Sequence, residues 1–445
     1  MAPFREVPQH FILSHITTFW RNLVRNYDGN VADSDFFEVA ARYYGQPRAL
    51  RLIRLAYTER ELASFQSGHL GAKLDLEDDI NRVFKTLWNF PSARAKCRLL
   101  LQEIADYLLA ELDEKYRDAN ADPLTERFAS LRNLFHLSEV EYAIFLFRYL
   151  ENETCLDPPF HVNAFQKPWL CAMALDRSYG EVAAAMTANG RLRHFNLLDE
   201  NWDYHHRFFS GFFESSEGEA FGRRFYRFAP ETDLLPWHFF GRLAEQDGEL
   251  LCRLLSANTA PCNILLYGAP GTGKTSFARA LAHRLNRQAY DILCTAAANE
   301  PLSPTTRLIG VRLCNENEDP DSALMIVDEA DELLNNNAIR FFTDKRATSF
   351  GAEKGSLNTL LDEMRIPTIW IANTSAGDID ESVRRRFNYA ICFERLSANQ
   401  RAAIWQNLIE RRHLGHLIPA DQITTYARRY ETTQPSLQCQ AHILF

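Results

Sequence analysis

The chain's 445 residues are enough for two to four domains, and 46% hydrophobic with 12% aromatic content fills packed cores, which excludes a disordered or low-complexity protein. Its 49 Lys+Arg against 58 Asp+Glu leave a net charge of −9, and charges interrupt every apolar run well short of the ~18 residues a membrane helix needs. Charged residues throughout 1–27 argue against a secretory signal, and nine cysteines without a Cys-x-x-Cys pair read as reduced thiols of a cytoplasmic protein.

The charge is unevenly spread. From residue 251 onward there are 21 basic and 21 acidic residues, so the first 250 hold 28 and 37 and carry the whole excess. That makes a nucleic-acid grip there an unfavoured reading. No His-Glu-x-x-His is present, and His413 and His416 lack a third ligand nearby, so no zinc site is expected.

In chain order, residues 1–120 read as a helical N-terminal domain. Arg94 to Tyr116 places Leu99, Leu100, Ile104, Leu108, Leu109 and Leu112 at helical spacing. Residues 121–215 read as a second helical domain, in which Ser138 and Glu141 form a capping box before the apolar helix Tyr142 to Leu150. Helices follow at Pro168 to Leu175 and Tyr179 to Met186, and then Leu192 to Leu198 reads as extended. Three helices and a strand is a winged-helix order; a plain helical bundle fits equally. Residues 216–250 are a linker segment: the Ser/Gly/Glu-rich Glu214 to Glu219 is followed by the aromatic Phe221 to Phe240.

The chemistry lies in 251–396. An apolar strand, Asn263 to Tyr267, runs into Gly268-Ala-Pro-Gly-Thr-Gly-Lys-Thr275, and a helix follows from Ser276 to Leu285. Strand, glycine-rich loop and helix together make a phosphate-binding loop. Its backbone N–H groups turn inward around phosphate oxygens, Lys274 brings a point charge, and the Thr275 hydroxyl can sit on Mg2+. Gly268, Pro270, Gly271, Thr272, Gly273, Lys274, Thr275 and Ser276 are the expected nucleotide contacts. A second strand, Ala323 to Val327, delivers Asp328-Glu329-Ala330-Asp331 to its C-terminal end, where ligands bind in parallel sheets. Asp328 suits the metal, and Glu329 is placed to polarise a water for attack on the γ-phosphate. A third strand, Thr368 to Ala372, ends at Asn373, whose amide can bond both γ-phosphate and water. Asp380 to Phe387 then carries Arg384, Arg385 and Arg386, which fan around a helix end rather than converge on one ligand, before a last strand at Tyr389 to Phe393.

These four motifs, in this order, resemble the AAA ATPases over about residues 234 to 396. The Asp380 to Phe387 segment is similar to the branch containing microtubule-severing and membrane-scission-complex disassembly ATPases. The resemblance implies an α/β P-loop core with a parallel five-stranded sheet and flanking helices. It implies ATP and Mg2+ as ligands, ATP hydrolysis with Glu329 as base, Asn373 as a sensor, and a ring, hexameric in the family, that remodels a protein client chosen by the N-terminal region. Arg384 and Arg385 would be fingers reaching a neighbouring subunit, although which two of the three arginines act stays open.

Two features depart from the family. Thr295 to Ser322 contains no aromatic residue where threading members present one; Phe341, Phe342 and Phe350 come later. Residues 397–445 begin as the helical lid, with a helix expected at Ser397 to His413, and then read as a short or truncated lid. A nucleotide-controlled assembly switch, favoured by the missing aromatic, and a DNA-associated loader with a winged-helix arm, opposed by the acidic N-terminal charge, are the alternative functions.

Overall fold

In the computed structural model the described residues are 10–31, 35–67, 72–73, 79–116, 123–154, 156–187, 190–199, 201–203, 221–230, 234–257, 260–295, 300–334, 352–395, 397–411 and 420–429. They divide into two compact units, Met1–Phe221 and Gly222–Phe445. No helix among the described residues is long and apolar enough to cross a membrane.

The first unit is helical: α1 His10–Asn26, α2 Gln46–Ala56, α3 Glu59–Ser64, α4 Ile80–Asn89, α5 Pro91–Lys115, α6 Pro123–Leu134, α7 Glu139–Glu153, α8 Lys167–Leu175, α9 Tyr179–Ala185 and α10 Arg191–His194. Its central element is α1, whose Ile16, Trp20, Leu23 and Val24 are fully buried against α5, α7 and α8. Two side chains fix its depth. The Trp20 indole donates to the Phe36 carbonyl at 2.8 Å, and the Asn22 amide donates to the Ala174 carbonyl at 2.8 Å. The Ser138–Glu141 capping box opens α7 as expected, and the same device opens α3 from Thr58 and α9 from Ser178.

The structure corrects two local expectations in this unit. In α5 the buried stripe is Cys97, Leu100, Leu101, Ile104, Ala105, Leu108 and Leu112, whereas Leu99 is 66% exposed because its position falls outside that face. The Leu192 to Leu198 stretch is not extended. Gly190 starts a helical turn, Leu197 N–H closes it by donating to the Leu192 carbonyl at 2.9 Å, and Asn196 takes the left-handed conformation (φ 53°) that ends it. The turn buries Leu192, Phe195, Leu197 and Leu198 together, which an alternating strand would not. A two-residue ribbon, β1 Gln66–Ser67 with β2 Ala72–Lys73, is the one sheet among the described residues of this unit, so the strand of a winged-helix order is not found there.

The second unit holds β3 Tyr226–Phe228, α11 Glu249–Ser256, β4 Asn263–Gly268, α12 Lys274–Arg284, β5 Gln288–Ile292, α13 Pro304–Asn317, β6 Ala323–Val327, α14 Asp331–Leu334, α15 Ala352–Asp362, β7 Thr368–Ala372, α16 Glu381–Arg384, β8 Tyr389–Phe393, α17 Ala398–Arg411 and α18 Ala420–Arg429. The sheet order is β3-β5-β6-β7-β4-β8, five parallel strands with β3 antiparallel at one edge. The expected five strands are thus present, and β3 is a sixth that the sequence reading missed. The Tyr226 and Tyr290 hydroxyls lock it by donating to opposite oxygens of the Glu318 carboxylate, at 2.9 and 2.6 Å. Every residue of β6 and β7 is buried, the mark of parallel strands covered on both faces. Leu251 and Leu255 of α11 and Phe277 and Leu281 of α12 pack on Ile264, Leu266, Ile326 and Ile371 of the sheet.

At the foot of the sheet, Asn263 is fully buried and wholly paired. Its N–H donates to Asn388 Oδ1 at 2.7 Å and its carbonyl accepts from Asn388 N–H at 2.8 Å. Its side-chain amide donates to the Leu361 carbonyl at 2.9 Å, and its Oδ1 accepts from the Trp370 indole at 3.1 Å. In the lid the expected helix is joined by a second, α18, which packs on α17 through Ile409 and Ile423. Phe341, Phe342 and Phe350, together with His413, His416 and the 214–219 stretch, lie outside the described residues.

Candidate active site

Parallel strands β4, β6 and β7 are neighbours, so their C-terminal ends bring the residues after Tyr267, Val327 and Ala372 to one rim of the sheet. The loop after β4 is bent through glycines in conformations that a side chain resists: Gly268 (φ 129°), Gly271 (φ 74°) and Gly273 (φ 90°). Gly268 is constrained twice over, because a Cβ there would stand 2.4 Å from the Phe393 carbonyl oxygen of β8. Gly268→Ala is therefore expected to cost about 3 kcal/mol or more of stability from strain and forced strand separation; an unchanged urea midpoint would refute that origin. At Gly273 a Cβ would meet nothing within 4 Å, which leaves the cradle open beside the start of α12.

Lys274 is the first residue of α12 and is 5% exposed. Its Nζ donates to the carbonyls of Gly268 and Ala269 at 2.7 and 2.8 Å, so the ammonium lies across the mouth of its own loop. Burial pushes its pKa down, and the carboxylates of Asp328 and Asp331 pull it part of the way back. Thr272 is buried and ties the loop to itself by donating to the Ala269 carbonyl at 2.9 Å, while Pro270 is exposed at the tip.

Thr275 Oγ1 donates to Asp328 Oδ2 at 2.6 Å. A hydroxyl and a carboxylate held together at the edge of an open anion cradle are hard oxygen donors of the kind Mg2+ takes, so these residues fit the metal. Glu329 follows with an exposed side chain and a left-handed backbone (φ 48°), a conformation that costs a non-glycine residue on the order of 1–3 kcal/mol. Its N–H donates back to Asp328 Oδ1 at 2.8 Å. On the next strand the exposed Asn373 is held through its main chain. Its N–H donates to the Asp331 carboxylate at 2.8 Å, and Thr374 N–H donates to the same group at 2.9 Å. Asp331 thus joins the acidic turn to the Asn373 turn.

Two groups here were not foreseen. The buried guanidinium of Arg307 donates to the Glu329 carbonyl at 2.8 Å and to the Asp328 carbonyl, and Cys294 Sγ donates to that same Asp328 oxygen at 3.6 Å. Neither residue lies in a motif, so no sequence pattern marked it.

The three arginines separate. Arg386 is tied within the same chain, to Asp362 at 3.0 Å and to the Ser382 carbonyl at 2.6 Å. Arg384 and Arg385 are exposed at the end of α16, where Arg385 pairs with Glu381.

Residues 264–395 match the family described as ATPase family associated with various cellular activities (AAA). Among curated relatives, a putative 26S proteasome regulatory subunit homolog of Methanothermobacter thermautotrophicus is 26% identical over 203 residues, 42% of this chain and 52% of that protein. Fidgetin-like protein 1 of Caenorhabditis elegans is 26% identical over 151 residues, 34% of this chain and 25% of that one. The chain thus spans about half the length of the first and a quarter of the second. A solved structure of the FIGL-1 AAA domain in complex with ADP aligns over 42% of this chain and 63% of that chain at 20% identity and a TM-score of 0.30.

Proposed function

With an AAA domain at residues 264–395 as the premise, we propose that this protein hydrolyses ATP to ADP and phosphate and works as a ring whose subunits complete one another's sites. The observation that carries the hydrolytic reading is the 2.6 Å contact of Thr275 with Asp328 beside a buried Lys274, with Glu329 next in the chain. In this reading Lys274 and the loop N–H groups bind phosphate, and Thr275 and Asp328 hold Mg2+, which neutralises phosphate charge when bound. Glu329 takes the proton of the attacking water, and Asn373 orients that water.

The exposure of Arg384 and Arg385, against an Arg386 side chain that is 29% exposed, supports the first two as residues that act across an interface. A protein client selected by the acidic helical unit follows from the family's usual work and from that unit's charge. The missing aromatic in Thr295 to Ser322 favours a second reading, a nucleotide-controlled assembly switch that turns over slowly.

Turnover per subunit measured across protein concentrations separates the two, with Glu329→Gln as blank. Specific activity that climbs to a plateau supports shared sites, whereas activity flat at the blank's level at every concentration rules out the motor and leaves the switch. Arg385→Ala is expected to keep nucleotide affinity and lose ~10³-fold in turnover. Equal turnover in that variant and wild type would remove Arg385 from the reaction.

A further inference from the structure

We infer that Arg307 is a positioning residue: it fixes the backbone of Asp328-Glu329 and thereby decides where the Glu329 carboxylate stands. The inference rests on the ATPase reading above. Arg307 sits in the first turn of α13, a helix anchored by Ser303, whose hydroxyl accepts from Thr306 N–H at 3.2 Å. From that base the guanidinium reaches the carbonyls of two consecutive residues, Asp328 and Glu329, and it is 4% exposed. Those carbonyls flank the residue whose φ is 48°.

A left-handed glutamate persists only where its surroundings over-determine it. Here Arg307 holds the carbonyl side, and Ala330 N–H holds the other by donating to the Ile371 carbonyl at 2.8 Å. The planar guanidinium meets the two carbonyls with two different nitrogens held in a rigid fork, an orientation that an ammonium at the end of a flexible stem does not fix. Its Nε is buried without a hydrogen-bond partner, and a buried charge is a costly way to fill space. Apolar packing would fill that space more cheaply, so it is the aim of the other nitrogens at the acidic turn that gives the charge a use.

The test uses the full chain with Arg307→Lys and Arg307→Met, each read by melting, Mg-ADP affinity, steady-state kinetics and amide hydrogen exchange. The expected result is a Kd for Mg-ADP and a KM for ATP within ~3-fold of wild type, with kcat lowered ~10²-fold, the scale of a misplaced catalytic group. Exchange should quicken at Glu329 and Ala330 while the β6 amides stay protected. Wild-type kcat in folded Arg307→Lys, or exchange that quickens throughout the core in parallel with lost Mg-ADP affinity, would overturn the inference. If wild-type turnover does not exceed that of Glu329→Gln, the ATPase reading fails by itself, and local or unchanged exchange still decides whether Arg307 sets this backbone.

Discussion

Lys274→Met is expected to lower ATP affinity by ~100-fold or more while leaving the fold intact. The ammonium is the point charge at the mouth of the loop, and removing one member of a close, desolvated charge pair costs about 3 kcal/mol or more, which is two decades in Kd. The fold should survive because methionine keeps most of the buried stem and removes a group whose burial already disfavours its charge. The pH dependence gives a second signature. Since the folded pKa lies below that of an unfolded lysine, the unfolded chain binds more protons in the alkaline window between the two values, and stability rises with pH there. Lys274→Met should lack that slope. Titration calorimetry with Mg-ATP decides the first point, and an affinity within a few-fold of wild type would show that the loop binds something other than a nucleotide phosphate.

Glu329→Gln is expected to do the opposite: bind ATP as well as wild type and lose ~10²- to 10⁴-fold in turnover. The substitution keeps size and side-chain geometry, so the left-handed turn and the Arg307 contacts to its backbone remain available. What it removes is the basic oxygen, and proton transfer by a positioned carboxylate contributes on that scale. Single-turnover hydrolysis of pre-bound ATP measures this without ambiguity from product release. A wild-type rate would move the base elsewhere on the rim, with Asp331 excluded because both its oxygens already accept from the Asn373 turn.

The strands that carry these residues were legible in the sequence because they are short, almost wholly apolar and followed by unmistakable turn chemistry. Ala323 to Val327, Thr368 to Ala372 and Tyr389 to Phe393 have the same bounds in both readings. Side chains that act by holding the main chain of another segment were not legible. Asp331 falls within the acidic motif, but nothing there shows its hold on the backbone N–H groups of the Asn373 turn, and Arg307, which reaches the acidic turn from a position 21 residues earlier, lies in no motif. The misread of Leu192 to Leu198 has a different cause. A stretch only seven residues long with four apolar positions fits a strand and a closed helical turn alike, and Asn196 decided it by accepting a left-handed conformation. The missed strand β3 is three residues long and owes its place to Tyr290 and Glu318, both distant in sequence.

That small strand has a practical consequence for anyone cutting the protein. Family likeness begins at residue 264, yet the sheet recruits Tyr226 to Phe228 to cover the flank of β5. A fragment started at the likeness boundary would leave β5 with a row of unpaired main-chain groups and Glu318 with half its tyrosine clasp. Such a bare flank is a template for self-pairing, so the fragment should precipitate or form extended stacks where one started near residue 221 stays dispersed. The piece of chain that behaves as a unit is wider than the piece whose ancestry can be read.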